Sequence, residues 1–512
     1  MPNLNWRGKE KLETSNKTVH YKFYPFQLNE VHFPPVSKSV QFNEEFIKKR
    51  EILAANNLYN EKIWKNLLIW GENKAIMFSL LDRFSEKINL IYIDPPFASG
   101  GDYKLKIPIG DDDAFEISKA YTDSWKGGID SYLNYLYERL ILMKKLLSKD
   151  GSIYVHLDWH VSHYIKIMLD EIFGSENFRN EIIWVYPAAS AQTKRFFIRS
   201  FDVILYYTKS DDYIFNDDPQ IYMEYSDRVK NALKKDELGT FYYRGGSHNG
   251  KKLSQKVYVR KKGIFPRDFW YDIPYVRANT LEYQGFSTQK PERLLKRIIL
   301  ASSKENDLVA DFFCGSGTTL AVAEKLRRRW IGCDLKKHNL HICRKRILDI
   351  SNSYDMINWK KIYNKQFQPF SILNLKDRQK QNYYNSIPQS LIQITSNNKI
   401  KISKEKPEFE VIVYKEQDFI KIQLQDYKIP QLNLLNRSFK SKITKFSDWI
   451  DYWAIDTNYQ DDTFISDWLS YRTHKKRELK LTSNPIPYNN SKGGTIAVKV
   501  VNIFGSETLQ FY

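Results

Sequence analysis

Apolar residues in the first two thirds of the chain fall into short runs that alternate with longer stretches of helical spacing. Leu67-Leu68-Ile69-Trp70 reads as a buried strand and Lys74 to Phe84 as an amphipathic helix. Asn89-Leu90-Ile91-Tyr92-Ile93 reads as a second strand that ends at Asp94. Tyr132 to Leu147 carries apolar residues at helical spacing, and Asp150-Gly151 turns the chain into a strand from Ser152 to Leu157. His163 to Phe173 is again helical and stops at Gly174; Ile182–Tyr186 and Val203–Tyr207 read as further strands. Order resumes with a helix from Gln289-Lys290-Pro291 to Ser302, then a strand at Leu308-Val309-Ala310 and a helix from Gly317 to Arg327. Trp330 to Cys333 is a last strand of this kind, and a basic helix follows to Ile350. Strands alternating with helices predict an α/β fold, a mainly parallel sheet covered by helices on both faces.

Three regions depart from this rhythm. Residues 1–55 read as an irregular N-terminal arm, with Phe33-Pro34-Pro35-Val36 breaking any helix. Residues 210–265 lie inside the α/β domain of 56–350 but lose its order: between Phe241 and Arg267 stand eight Lys or Arg and no Asp or Glu, with Phe241, Tyr242, Tyr243, Tyr258 and Phe265 among them. From 351 to 512 the composition shifts to Asn, Gln, Lys and Ser, and Gly494 to Gly505 alternates like an edge strand, which predicts a separate β-rich domain. The 512 residues carry 79 Lys and Arg against 60 Asp and Glu, a formal charge of +19 that favours a polyanionic partner. Aromatic side chains interleaved with cations suit unstacked bases. Three cysteines cannot build a disulfide framework, and no run of apolar residues is long enough to span a membrane, so a reducing, cytoplasmic setting is expected.

Two motifs carry chemistry. Asp94-Pro95-Pro96-Phe97 closes a strand. An exocyclic amine is a poor nucleophile because its lone pair is delocalised into the ring, and acceptors on both N–H bonds draw the nitrogen towards tetrahedral geometry. Asp94 supplies one acceptor and the Pro95 carbonyl a second; Pro95 and Pro96 stiffen the backbone, and Phe97 offers a face for a flipped-out base. A surface turn is the plain alternative. The second motif, Asp311-Phe312-Phe313-Cys314-Gly315-Ser316-Gly317-Thr318-Thr319, lies between a strand and a helix, where glycines allow close approach of a ligand and the helix N-terminus attracts a carboxylate. Asp334 closes the next strand, where an acidic side chain can bind ribose hydroxyls. A nicotinamide site would need a third glycine, and Leu320 follows Thr319 instead.

These motifs, with Thr288-Gln289-Lys290-Pro291-Glu292 between them, resemble the β-class amino-methyltransferases of DNA, a family that includes type III modification subunits and many type II enzymes. The resemblance covers roughly residues 60 to 350 and follows that family's permuted order. It implies a seven-stranded Rossmann-like methyltransferase sheet, S-adenosylmethionine as cofactor, and methylation of adenine N6 on a flipped-out base in double-stranded DNA. By resemblance Asp94, Pro95, Pro96 and Phe97 form the catalytic loop. Asn73, Gln289, Lys290, Pro291, Asp311, Phe313, Cys314, Gly315, Gly317 and Asp334 line the cofactor site. The 210–265 segment becomes a target-recognition insert, with Arg244, Lys251, Lys252, Arg260, Lys261 and Lys262 on DNA. A restriction or defence-system subunit and a second copy of the chain are further partners to look for. Glu72 in Gly71-Glu72-Asn73 replaces the commoner Asp, Phe312 replaces a proline, and Leu157-Asp158-Trp159-His160 departs from the Asp-Asp-Asn-Glu of the type III branch.

Rival readings are weaker. His156, Asp158, His160 and His163 lie close in sequence, but the cluster starts on a strand and ends on a helix and the reaction needs no metal. Ring-carbon methylation of cytosine needs a Pro-Cys nucleophile, which is absent. N4 methylation of cytosine on the same fold typically shows Ser in place of Asp94. RNA methylation does not call for so large an insert. An idle DNA-binding or assembly subunit has no need for intact acceptor, stacking and cofactor residues. The run Tyr471 to Arg477 reads either as a solvated face or as a DNA contact.

Overall fold

A computed structural model of the chain describes residues 4–12, 23–35, 64–112, 114–186, 195–248, 251–259, 263–356, 358–376, 407–416, 418–430, 435, 437–488 and 494–512. In chain order the strands of its first half are β1 Phe26–His32, β2 Asn66–Trp70, β3 Ile88–Ile93, β4 Asp102–Pro108, β5 Phe115–Thr122, β6 Leu147–Leu157, β7 Phe178–Val185 and β8 Phe201–Thr208. Then come β9 Lys234–Asp236, β10 Gly239–His248, β11 Lys251–Tyr258, β12 Phe269–Trp270, β13 Leu308–Asp311, β14 Arg329–Asp334 and β15 Phe370–Leu375. The C-terminal region adds β16 Glu408–Lys415, β17 Phe419–Lys428, β18 Ile450–Tyr459, β19 Phe464–Ile465, β20 Trp468–Tyr471, β21 Ile486–Pro487, β22 Thr495–Asn502 and β23 Glu507–Phe511. The helices that matter here are α1 Asn73–Phe84, α2 Gly128–Leu146, α3 Ser162–Phe173, α4 Glu292–Ser302, α5 Thr318–Lys325 and α6 Lys337–Leu348.

The central sheet runs β12-β7-β8-β6-β3-β13-β14-β2-β15-β1-β19. Its middle seven strands, β7 to β2, are the expected α/β sheet: all are parallel except β8, which runs against both β6 and β7. Alternate residues feed two cores. Leu67, Ile69, Ile91 and Ile93 pack on α1, α2 and α3, while Leu68, Trp70, Leu90 and Tyr92 face α4, α5 and α6. Burial on both faces is why these strands read as continuous apolar runs. The chain leaves β13 towards β14 but leaves β3 towards β6, so strand order reverses between β3 and β13. In open α/β sheets a ligand crevice opens at that point, outside the carboxyl ends of the strands. Asp94, Asp311 and Asp334 all lie at those ends.

Four features differ from the sequence reading. β6 starts at Leu147, before the Asp150-Gly151 turn. Residues 234–258 form a three-stranded antiparallel sheet, β11-β10-β9, where loose chain was expected. A hairpin, β4–β5, follows the Asp94-Pro95-Pro96-Phe97 motif. The chain also crosses both expected domain boundaries: β1 from the arm and β15 and β19 from beyond 350 extend the central sheet past β2. These edge strands are held by pairing with distant partners, which local periodicity does not reveal.

The C-terminal strands form two further sheets, β16-β17-β21 and β20-β18-β22-β23, whose core also takes in Leu105, Ile107 and Ile109 of the hairpin. Arg472 is fully buried; it donates to the Ile450 and Ser447 carbonyls and pairs with Asp111 at the hairpin turn, while Arg477 donates to the Gly110 carbonyl at 2.6 Å. Two cations of the run 471–477 are therefore a brace for that turn. Gly110, at φ +58°, has no room for a Cβ against Asp448. No helix among the described residues is long and apolar enough to cross a membrane.

Candidate active site

β3 delivers Asp94 to the crevice with its side chain 21% exposed, and Asp94 Oδ2 accepts a hydrogen bond from Lys290 Nζ at 2.6 Å. Burial would lower the Lys290 pKa, but the Asp94 and Asp202 carboxylates outweigh it and hold the ammonium above the ordinary lysine range. The same ammonium lies 5.5 Å from the centre of the Phe97 ring. The Lys290 carbonyl accepts from the Thr318 hydroxyl at the start of α5, 3.2 Å away. One residue thus ties the Asp-Pro-Pro-Phe loop to the glycine loop, although Lys290 was expected only on the cofactor side.

The loop after Pro96 is held by a residue that sequence reasoning missed. Asp123, just beyond β5 and almost wholly buried, accepts from the backbone N–H groups of Phe97 (3.0 Å), Ala98 (3.0 Å) and Ser99 (2.9 Å). It also accepts from the Ser99 hydroxyl at 2.9 Å and the Trp125 indole at 3.2 Å. Ala98 sits at φ +54°, a left-handed conformation that costs a non-glycine residue, and the carboxylate supplies what holds it there. Only recognition of the β4–β5 hairpin would have brought Asp123 to Phe97.

Below Phe97 lies His156, its ring nearly parallel at 15° and 6.3 Å between centres. His156 is fully buried, with Nδ1 2.9 Å from the Tyr92 hydroxyl and Nε2 3.0 Å from Asp202. Tyr186 donates to the other Asp202 oxygen at 2.9 Å. Burial would raise the Asp202 pKa, but His156 and the Lys290 ammonium bring it below the ordinary value. The other histidines of that run go elsewhere: His160 pairs with Asp158 at 2.5 Å, and His163 is exposed.

The glycine loop closes the far side. Gly315 (φ +50°) and Gly317 (φ +75°) both take left-handed backbone, and a Cβ on Gly317 would collide with Cys343. Gly317 caps α5 without a side-chain acceptor, so the first N–H groups of α5 stay available to an anion. Asp334 accepts from Gly315 N (3.0 Å), Lys336 N (2.9 Å) and Asn339 (3.0 Å), which leaves one of its roughly four lone-pair sites for a further donor. Asn73 holds the loop from behind, donating to the Phe312 carbonyl at 3.0 Å and accepting from Arg139 at 2.6 Å. Gln289 turns to the 282–284 segment, bonded to the Gln284 N–H and the Glu282 carbonyl. Cys314 is buried against Cys343, and Phe313 packs towards Tyr135. The crevice fits a ligand with a carboxylate at the α5 end and hydroxyls at Asp334.

Asp311 anchors this loop by accepting from Phe313 N (2.9 Å) and the Thr319 hydroxyl (2.5 Å). Burial pushes its pKa up to about 7. A carboxyl raised this way stabilises the fold at low pH; that contribution fades as pH rises from its ordinary value of 3.8 towards 7. Asp311→Asn keeps the acceptor for Phe313 and removes the titration. Its melting temperature relative to the parent, without cofactor, should therefore rise between pH 5 and pH 8, by an amount worth up to about 3 kcal/mol. Equal differences at both pH values would show that Asp311 is not protonated in the fold.

On the insert, Arg244 and Tyr243 are exposed on β10, and Lys256 lies over Phe241 while pairing with Asp236. Lys251 and Lys252 belong to β11, with only their backbone described, and Arg260, Lys261 and Lys262 lie outside the described residues.

Comparisons with known proteins place the chain in a family. The profile of a family described as DNA methylase matches residues 88–345. The type II methyltransferase M.EcaI of Enterobacter cloacae is 29% identical over 341 residues, which is 58% of this chain and 70% of that one. The DNA adenine methyltransferase YhdJ of Escherichia coli (strain K12) is 30% identical over 271 residues, 53% of this chain and 79% of that one. A solved structure of M1.HpyAVI with SAM is 18% identical, with a TM-score of 0.34, and covers 55% of this chain and 98% of that one.

Proposed function

This chain belongs to the DNA methylase family, and on that premise we propose that it methylates adenine N6 within a short recognition sequence of duplex DNA. Its cofactor is S-adenosylmethionine, which when bound would supply an electrophilic methyl group on a sulfonium and leave as a neutral thioether when that methyl carbon–sulfur bond breaks. The N-terminus of α5, Gly315, Gly317 and Asp334 are the residues to hold it. Asp94 and the Pro95 carbonyl then accept the two N–H bonds of the target amine and turn its lone pair outward. Lys290 occupies Oδ2 of Asp94 and leaves Oδ1 for the base. As the nitrogen bonds carbon it becomes cationic, and the Asp94 charge stabilises it. The surplus amine proton passes to Asp94, which is open enough to release it to water.

The observation that carries adenine is an anionic acceptor at the catalytic position, Asp94 beside two prolines and a stacking Phe97. Mapping modified bases in DNA from cells that express the chain tests it. N6-methyladenine in a fixed context is the expected result. N4-methylcytosine would make cytosine the substrate, and unmodified DNA would make the chain an idle subunit.

The segment 210–265 is the proposed reader of sequence. Replacing Arg260, Lys261 and Lys262 with Ala should weaken DNA binding and leave cofactor binding intact. The slope of log affinity against log salt should fall by about 0.9 for each phosphate that these cations no longer neutralise. An unchanged slope would move recognition to another surface.

A further inference from the structure

The connection between β7 and β8 carries Arg195-Phe196-Phe197-Ile198-Arg199, and its apolar residues face water: Phe197 is 99% exposed, Phe196 56% and Ile198 46%. Register places the segment. Ile93, the residue before Asp94, pairs with Val155, and Val155 pairs with Leu205 on β8. β8 continues outward past the row of Asp94 to Phe201, and Ser200 is fixed there by accepting the Tyr186 N–H at 2.9 Å. Residues 195–199 therefore rise from the same end of the sheet as Asp94. Trp159, two residues beyond β6, lies under the Arg199 guanidinium at 3.7 Å, and Phe196 lies 4.9 Å from the same group. Trp159 follows the end of β6, whose Val155 is in register with Ile93, so this stack stands at the same end of the sheet as Asp94. The Trp159–Arg199–Phe196 stack steadies the segment and leaves Phe197 projecting between two arginines.

An apolar side chain held in water, flanked by positive charge and beside a site that takes an extruded base, matches the needs of a duplex from which a base has left. The vacated space is flat-walled and apolar, and the backbones on either side are anionic. We propose that Phe197 is a wedge that enters duplex DNA at the target pair and fills the place of the base that moves to Asp94, with Arg195 and Arg199 towards the phosphates. The proposal rests on the DNA-methylating reading above and names how the duplex is opened.

The test uses full-length protein and Phe197→Ala on three duplexes: a matched target, the target opposite a mismatch, and the target opposite an abasic position. Loss of the wedge should lower the single-turnover rate on the matched duplex by about tenfold or more and leave the abasic duplex within about twofold, because the target there is already unpaired and leaves its place at lower cost. Phe197→Leu should retain most of the activity. With 2-aminopurine as the target base, the fluorescence rise on binding should be lost for Phe197→Ala on the matched duplex only. An unchanged matched rate, or an equal fall on all three duplexes, overturns the wedge; in the second case Phe197 serves folding or general contact. A parent protein that methylates none of the duplexes overturns the functional reading itself, and the wedge with it.

Discussion

Asp94→Ala should bind S-adenosylmethionine and DNA and methylate almost nothing. In the proposed mechanism the carboxylate accepts an amino hydrogen bond that strengthens as nitrogen gains positive charge, so it would stabilise the transition state more than the ground state. Loss of such a preorganised interaction costs on the order of 3 kcal/mol or more, roughly a hundredfold in rate. Sequence position alone suggests a strand-end residue with little part in folding. The structure adds that Asp94 neutralises a buried ammonium, with Lys290 only 10% exposed. Removing Asp94 leaves the buried ammonium with Asp202 as its remaining carboxylate, so Ala should also lower the melting temperature. Asp94→Ala combined with Lys290→Met separates the two effects: stability should return, and methylation should not. Asp94→Asn retains an uncharged acceptor and should fall between Asp and Ala in rate. If Asp94→Ala turns over within about threefold of the parent, under 1 kcal/mol of barrier, the loop is a structural turn.

Legibility followed the locality of the signal. The seven strands and the helices over them could be read because both faces of the sheet are buried and each element imposes its own period. Asp94, Gly315, Gly317 and Asp334 could be read because each sits where a strand meets a turn. Whatever depends on contact across the chain escaped. Asp102 to Pro108 alternates charged and apolar residues, yet the hairpin it starts matters through Asp123, which returns to Phe97 only when both strands pair. Lys290 stands 196 residues from Asp94, and its motif pointed to the cofactor alone. His156 read as part of a metal-like cluster because sequence shows neighbours along the chain; Tyr92 and Asp202, its partners, come from other strands. The insert looked loose because most described residues of its strands are exposed, Tyr243 and Tyr258 among them, and Phe241 alone of these is buried, too little to enforce a period.

Asp123→Ala should nearly abolish methylation with little change in cofactor affinity, although Asp123 lies outside the Asp-Pro-Pro-Phe motif. All five groups bonded to it are donors: the N–H groups of Phe97, Ala98 and Ser99, the Ser99 hydroxyl and the Trp125 indole. Truncation leaves them without an acceptor and releases Ala98 from its left-handed conformation, at a cost on the order of 3 kcal/mol of stability. The loop should then relax, and Phe97 and the Pro95 carbonyl leave the positions that the proposed mechanism requires of them. A displacement of about 1 Å from productive geometry is enough to lower turnover by roughly a hundredfold. The pattern of substitutions separates this positioning role from simple loss of stability. An asparagine side chain here would point an amide NH2 at backbone donors, so Asp123→Asn should fail almost as badly as Ala in turnover, although it packs the same volume. The deficit should persist well below the melting temperature and fall on kcat, with the affinity for S-adenosylmethionine within about threefold of the parent, under 1 kcal/mol. Should Asp123→Asn keep parental turnover, the carboxylate does not hold the catalytic loop, and the strain at Ala98 must be borne by the hairpin and the two prolines.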